Sequence, residues 1–167
     1  MKTLKILFFS SFLAILFLSN SCKNGSTDAS GWVIKDLLSE GVPLKILAPI
    51  DVKVKIGIEN HYKKISLIGG KDYFIEILAT ESGSNDLKQI KNELLKEVKL
   101  QKNFSKIIED TDYGFLFEKK KPDGNLSYDF RYLKSDGFQQ FVFQTGMYSD
   151  FSLSQAKNMY QSLTKMK

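Results

Sequence analysis

Residues 113–145, YGFLFEKKKPDGNLSYDFRYLKSDGFQQFVFQT, are the stretch that decides the fold. Two groups of turn-forming residues, Pro122-Asp123-Gly124 and Ser135-Asp136-Gly137, divide it, because these residue types favour the backbone conformations of tight turns. Between the two groups, residues 126–132 of the strand predicted at 126–133 alternate apolar and polar side chains, which is the period of a β-strand. With a further strand at 105–109, the stretch predicts three successive hairpins, an antiparallel meander.

The chain before this meander shows the same period of two. Residues 51–58 alternate apolar side chains with polar side chains or glycine, which predicts a strand with one buried face. Residues 44–48 also have an apolar side chain at every second position, with Leu47 as an apolar residue between them. Residues 64–68 and 72–80 are predicted as the next two strands. Gly69-Gly70 between them is a two-residue hairpin signal.

Three segments have helical spacing instead. Residues 32–40, WVIKDLLSE, place apolar side chains at this spacing and are followed by Gly41, a residue typical of helix C-termini, which predicts a short amphipathic helix or turn. Residues 86–101 carry an apolar stripe. The last helix begins at Ser152, which is expected to form a capping box with Gln155. The sequence therefore predicts an α+β domain, in which helices pack on an antiparallel sheet of six or seven strands.

The order of strands, helix, meander and final helix resembles the PsbP-type α-β-α sandwich. The features that carry the resemblance are the strand opened by Ala48-Pro49, the helix at 86–101, the hairpin at Pro122 and the helix from Ser152. It covers most of residues 44–167 and is one of pattern rather than of motif. The resemblance implies helices on both faces of the sheet and a domain that binds or stabilises protein partners.

The first 21 residues are typical of a secretory signal peptide. Lys2 and Lys5 precede an apolar run at residues 6–18, and small or polar residues follow at 19–21. The apolar run is shorter than the roughly 20 residues that a helix needs to span a bilayer. Residues 1–21 are therefore predicted to be removed.

Cys22 follows this segment directly. The sequence Ser19-Asn20-Ser21-Cys22, with Leu18 before it, resembles the lipobox of bacterial lipoproteins, although the family prefers Leu where Ser19 stands. The resemblance implies cleavage before Cys22, a diacylglycerol thioether on its sulfur and an acyl chain such as palmitate on its amine. It also implies attachment to a bilayer in the bacterial cell envelope, with the outer membrane favoured over the inner.

The cysteine count supports this interpretation. Cys22 is the single cysteine of the chain, so an intrachain disulfide is excluded and a secreted thiol needs an explanation. The alternative is a plain secretory signal with an unrelated cysteine. Residues 22–31 are then the lipidated Cys and a tether rich in Ser, Gly, Asn and Asp, and residues 32–167 form a single domain.

The charge argues against nucleic acid as a partner. The net charge of +5 includes Lys2 and Lys5, and no acidic residue lies in the signal segment, so about +3 remains after cleavage. A balance this small and this dispersed is not the footprint of a nucleic-acid-binding protein.

The search for chemistry yields few candidates. His61, the single histidine, lies in a polar turn without a neighbouring nucleophile or a second metal ligand. Glu109, Asp110 and Asp112 lack the spacing of an EF-hand loop and are expected to form a strand-end turn. No catalytic residue, cofactor site or metal site is predicted.

Two features of the meander are candidates for function. Lys119-Lys120-Lys121 lies at a hairpin tip, where it either protects the edge of the sheet or contacts anionic lipid or polysaccharide. Tyr128, Phe130 and Tyr132 are expected in the core, which puts Asp129 and Arg131 on the opposite face. If helices cover both faces, these two charges need partners, and they are the first place to look for a site.

The sequence favours a membrane-anchored binding or accessory module that is not an enzyme. Its expected partners are the bilayer, through acylated Cys22, and an envelope protein. Two alternatives stay open: a hydrolase that uses a pair of carboxylates in a cleft, and a purely structural envelope protein.

Overall fold

The computed structural model describes residues 31–59, 62–82, 86–147 and 149–166. The predicted signal peptide, Cys22, nearly all of the tether and His61 lie outside these residues. What the sequence predicts for them therefore stays a prediction.

The described residues form nine strands, two α-helices and a short 3₁₀ helix. The strands are β1 (Trp32–Asp36), β2 (Lys45–Pro49), β3 (Lys53–Glu59), β4 (Tyr62–Gly69), β5 (Tyr73–Glu81), β6 (Phe104–Thr111), β7 (Gly114–Lys120), β8 (Leu126–Ser135) and β9 (Gln139–Thr145). The helices are α1 (Leu87–Lys99) and α2 (Leu153–Thr164), and the 3₁₀ helix is Leu38–Glu40.

Seven of the strands form one antiparallel sheet in the order β3-β4-β5-β9-β8-β7-β6. Strands β6 to β9 are neighbours in sequence order, so the predicted meander is confirmed. Pairing of β5 with β9 joins the N-terminal hairpins to the meander. Strands β1 and β2 form a separate two-stranded sheet. The predicted α+β class with an antiparallel sheet is confirmed.

Helix α2 covers one face of the large sheet and forms the main core with it. Its buried side chains include Ala156, Met159, Tyr160 and Leu163. The capping box of Ser152 and Gln155 at its start is also present. From the sheet, the core takes Ile65, Leu67, Ile75, Ile77, Leu116, Phe130, Phe141 and Phe143.

Helix α1 lies on the opposite face, over a smaller cluster. Val98 packs with Phe115 and Phe117 of β7. Lys91 of this helix is charged, yet it is buried and forms an ion pair with Asp110 of β6. The Lys91 side chain is thus part of the packing between helix and sheet.

The helix predicted for residues 32–40 is wrong. Trp32–Asp36 is a strand paired with β2, and only Leu38–Glu40 is helical, ending at Gly41 with φ of +69°. A helix this short is marginal by itself, whereas the strand gains backbone pairing. It also gains an edge-on contact between Trp32 and Tyr73, whose ring centroids are 5.3 Å apart.

The two-residue turn predicted at Gly69-Gly70 is also wrong. Gly69 is still paired, opposite Tyr73, and the turn is Gly70, Lys71 and Asp72. Gly69 is needed for space, because a Cβ there would lie 3.3 Å from Tyr73 Cβ and 3.5 Å from Pro49 Cγ. The positive φ of the turn, +60°, falls on Gly70.

The register defines two ends of the large sheet. We call one of them the proximal end. It holds the turns at 70–72 and 121–125 and the connection from α1 to β6, and Gly31 leads into β1 there. The contact between Trp32 and Tyr73, the first residue of β5, places the start of β1 at this end. The distal end holds the turns at 112–113 and 136–138.

Candidate functional site

Asp129 of β8 is a buried carboxylate surrounded by donors. Its Oδ1 accepts hydrogen bonds from Thr145 Oγ1 (2.6 Å), Phe130 N (2.7 Å), Arg131 Nη1 (3.1 Å) and Thr145 N (3.2 Å). Its Oδ2 lies 3.3 Å from Lys119 Nζ. The expectation that Asp129 and Arg131 find partners within the fold is confirmed.

Three neighbouring strands bring this cluster together. Phe117 of β7 pairs with Asp129 of β8, and Lys119 follows two residues later on the same face. Thr145 is the last residue of β9. The guanidinium carbon of Arg131 lies 5.6 Å from the centroid of the Phe117 ring, a cation–π contact. One carboxylate therefore cross-links β7, β8 and β9.

The electrostatics of Asp129 favour a structural role. Burial raises the pKa of its carboxyl, but the charges of Arg131 and Lys119 and the hydrogen bond from Thr145 together hold this pKa below its ordinary value. A general acid or base works best with a pKa near the working pH and with access to substrate. A carboxylate with a lowered pKa and occupied oxygens is better suited to hold strands together than to transfer protons.

Glu118 lies on the opposite face of β7 and also has its own partners. Its carboxylate accepts hydrogen bonds from Ser105 Oγ (2.8 Å) and Tyr128 Oη (3.1 Å), and Lys106 Nζ lies 3.6 Å away. The Ser105 hydrogen bond, with the hydrogen bond from Tyr128 and the charge of Lys106, lowers the pKa of Glu118. This carboxylate too is held in its charged form by neighbours in the fold.

Glu76, in β5, is a third buried carboxylate. Lys64 of β4 and Gln144 of β9 flank it, with Lys64 Nζ at 3.6 Å and Gln144 Nε2 at 3.2 Å. Adjacent strands therefore satisfy each of these three buried carboxylates, as charges inside a protein require.

An open groove lies at the proximal end, between the connection from α1 to β6 and the hairpin of β7 and β8. It has a volume of about 370 Å³. Its lining consists of Lys102, Asn103, Phe104, Ser105, Lys120, Lys121 and Pro122. The two walls are held together by the hydrogen bond from Lys120 N to Asn103 O (2.8 Å). We call this feature the basic groove.

The three consecutive lysines of the β7–β8 hairpin have three different environments. Lys119 is half-buried and bound to Asp129. Lys121 Nζ lies 2.5 Å from Asp150 Oδ2. Lys120 is exposed, and no described residue forms an ion pair with it. The sequence could not separate them, because the partners come from β8 and from the segment before α2.

Sequence reasoning missed the other half of the groove. Lys102, Asn103 and Phe104 join α1 to β6 and carry no recognisable motif. The available signal was indirect: a predicted helix ending near residue 101 and a strand beginning near 105 leave a short connection at the same end as the Pro122 hairpin. The register of β6 with β7 brings these segments together.

The acidic cluster that the sequence considered for calcium is divided in the structure. Asp110 pairs with Lys91, and Asp112 lies in the β6–β7 turn. No group of three or more His, Cys, Asp or Glu side chains within the described ranges could hold a metal ion. None of the helices formed by these residues is long and apolar enough to cross a membrane.

The edge strand β3 exposes apolar side chains. Ile56 is 50% exposed and Ile58 is 85% exposed, and β3 is the outermost strand of the large sheet. An edge strand offers unpaired backbone groups to a partner strand, and exposed isoleucines add apolar contact. The structure thus offers two outward surfaces, the basic groove and the β3 edge. No family model, no curated protein and no solved structure matches the chain.

Proposed function

We propose that the chain is a bacterial envelope lipoprotein, anchored in a bilayer through acylated Cys22, with a domain that acts as a non-catalytic binding or accessory module. The observation that carries the proposal is the position of β1. The domain begins at Trp32, nine residues after Lys23, with its first strand fixed against Tyr73 at the proximal end. This position makes the proximal end the part of the domain nearest to Cys22 along the chain, which supports a tether through the N-terminus.

We further propose that the domain has a PsbP-type arrangement of its helices and sheet. Helices α1 and α2 lie on opposite faces of an antiparallel sheet, which supports it. Two helices are few for such a sandwich, and the separate β1–β2 sheet replaces the first helix that the sequence predicts. By analogy with that fold, the domain would act by binding protein partners.

The β3 edge supports a protein partner within the envelope. A partner strand placed beside β3 would pair with its free backbone groups and cover Ile56 and Ile58. The full chain, crosslinked in intact cells, is expected to lose partner adducts when Ile56 and Ile58 are both changed to Lys. The matched control is Ile108→Lys on β6, at the other edge of the sheet, where the side chain is 37% exposed.

Acylation is tested by mass spectrometry of the full chain expressed in a bacterium that processes lipoproteins. The expected product begins at Cys22 and carries the mass of a diacylglycerol and of an N-linked acyl chain. A Cys22→Ala variant is expected to lose both the lipid mass and the membrane association. Recovery of the native chain with a free or uncut Cys22 would show that the anchor does not exist.

A further inference from the structure

The basic groove combines charge with an apolar wall. Lys102 and Lys120 approach it from different segments, and Phe104 and Pro122 contribute apolar surface. Both lysines are exposed, and no described residue forms an ion pair with either. Two cations beside an apolar wall match the chemistry of an anionic group attached to an apolar body.

The nearby acidic groups do not neutralise these lysines, because each has another partner. Asp123 accepts hydrogen bonds from the backbone and side-chain nitrogens of Asn125, both at 2.9 Å. Asp150 is paired with Lys121. Asp72, on the β4–β5 turn, accepts from Gln155 Nε2 at 2.6 Å. The ammonium groups of Lys102 and Lys120 therefore have no carboxylate in direct contact among the described residues.

Exposed leucines flank the same groove. Leu100, just before Lys102, is 84% exposed, and Leu126, paired with Lys120, is 49% exposed. Lysines beside exposed apolar side chains are typical of surfaces at the boundary between headgroups and acyl chains. A soluble carbohydrate would leave these leucines without a partner, whereas a bilayer would cover them.

The groove and the start of β1 lie at the same end of the large sheet. Tyr73, which holds Trp32, begins β5, and Lys120 ends β7, three strands away at the same end of the sheet. Three strand spacings amount to about 14 Å. A segment as long as residues 23–31 spans at most about 30 Å when fully extended. A chain held in a bilayer at Cys22 can therefore bring the groove to the bilayer surface.

We propose that the basic groove binds the phosphate-bearing headgroups of anionic phospholipids, so that the proximal end of the domain docks on the bilayer. This inference rests on the proposed anchor at Cys22. It adds that the domain has a fixed orientation at the membrane. The β3 edge then stays free at the side of the sheet for a protein partner.

Trp32, the single tryptophan, is a built-in probe of docking because it lies at the proximal end. The full chain, with acylation verified by mass spectrometry, is reconstituted into phosphatidylcholine vesicles containing a brominated phosphatidylcholine, with or without phosphatidylglycerol. Bromine quenches tryptophan fluorescence at short range. Stronger quenching in the vesicles with phosphatidylglycerol is expected, and this increment should disappear in high salt.

Charge reversal localises the effect. Because each lysine near an anionic surface strengthens the contact by about fivefold, loss of both lysines should shift the balance away from docking by on the order of 25-fold. The carboxylates introduced by Lys102→Glu and Lys120→Glu add repulsion, so this variant should lose at least that much and should lack the increment. The control is Lys88→Glu with Lys165→Glu, which makes the same change in net charge. Lys88 lies at the start of α1 and Lys165 directly follows α2, both away from the groove. This control should keep the increment.

Three results would overturn the inference while the anchor stands. They are equal quenching in both kinds of vesicle, equal loss in the control variant, and protection of Lys102 and Lys120 from amine labelling by an anionic polysaccharide but not by the vesicles. A mass spectrum without lipid on Cys22 is the separate result that removes the anchor itself.

Discussion

The charged side chains at the two ends of the large sheet include some that the fold uses and some that it does not. Asp136 at the distal end builds a turn, as Asp123 does at the proximal end: its Oδ1 accepts hydrogen bonds from Gln139 N (2.7 Å) and Phe138 N (2.9 Å), and these lower its pKa. At the proximal end, Lys102 and Lys120 have no such role. A charge that satisfies the backbone is explained by the fold. A charge that the fold does not use is a better candidate for contact with something outside it.

The largest expected effect on the free energy of unfolding comes from removing a buried carboxylate. Asp129→Ala should lower the free energy of unfolding by about 3–5 kcal/mol, because Arg131 and Lys119 would be left without their carboxylate. Asp110→Ala, which breaks the Lys91 pair nearer the distal end, should cost about 1 kcal/mol, because the Asp110 side chain is 48% exposed. Chemical denaturation measures both losses.

A loss below about 1 kcal/mol for Asp129→Ala would show that the cross-link between β7, β8 and β9 contributes little. Asp129→Asn is the control for shape, because it keeps the side-chain volume and one acceptor oxygen. It should fall between the wild type and the Ala variant.

Acid pH tests the same carboxylate in the unchanged protein. The pKa of Asp129 is lower in the folded chain than its ordinary value of about 3.9. Its contribution to stability is therefore complete only well above this ordinary value, from about pH 5 upward, and is lost as the pH falls through the folded pKa. The free energy of unfolding of the wild type should therefore begin to fall below about pH 5 and should keep falling as Asp129 takes up its proton.

Asp129→Asn should flatten this acid slope, as measured by denaturation at a series of pH values. Asp136→Asn at the distal end should change the slope less, because Asp136 is exposed and solvent screens it. Equal slopes in the wild type and Asp129→Asn would mean that other carboxylates carry the acid sensitivity.

Two buried tyrosines also differ between the ends, and here the proximal side chain is the one without a hydrogen-bond partner among the described residues. Within the described residues, the Tyr73 hydroxyl at the proximal end is buried without a hydrogen-bond partner, and burial raises its pKa. The Tyr160 hydroxyl, over the distal half, lies 2.8 Å from Thr111 Oγ1. Tyr73→Phe should therefore stabilise the chain by about 1 kcal/mol, and Tyr160→Phe should destabilise it by a similar amount. Thermal unfolding of the two variants decides the sign, and a destabilising Tyr73→Phe would mean that its hydroxyl has a partner.

Local patterns in the sequence were enough for much of the fold. Alternation around Phe130 and the capping box at Ser152 each depend on neighbours within a few residues, so the meander and α2 could be predicted. The segment starting at Trp32 could not, because its pairing with β2 and its contact with Tyr73 are tertiary.

The same difference between local patterns and tertiary contacts applies to the candidate sites. The pattern alone showed that Asp129 needs partners. It could not show that Thr145 and Lys119 supply them, since they come from two other strands. The basic groove depends on the pairing of β6 with β7, which brings Lys102 beside Lys120.

The smallest expected effects on stability belong to the tip of the β7–β8 hairpin. Lys121→Ala breaks the pair with Asp150, in which the side chains are 30% and 59% exposed, and should cost no more than about 1 kcal/mol. Lys120→Ala should stay within about 0.5 kcal/mol, because no described residue pairs with its side chain. Denaturation curves of these variants therefore test whether adjacent lysines are used differently. A loss at Lys120 larger than at Lys121 would give Lys120 a role in the fold and weaken the case that its charge is available to a bilayer.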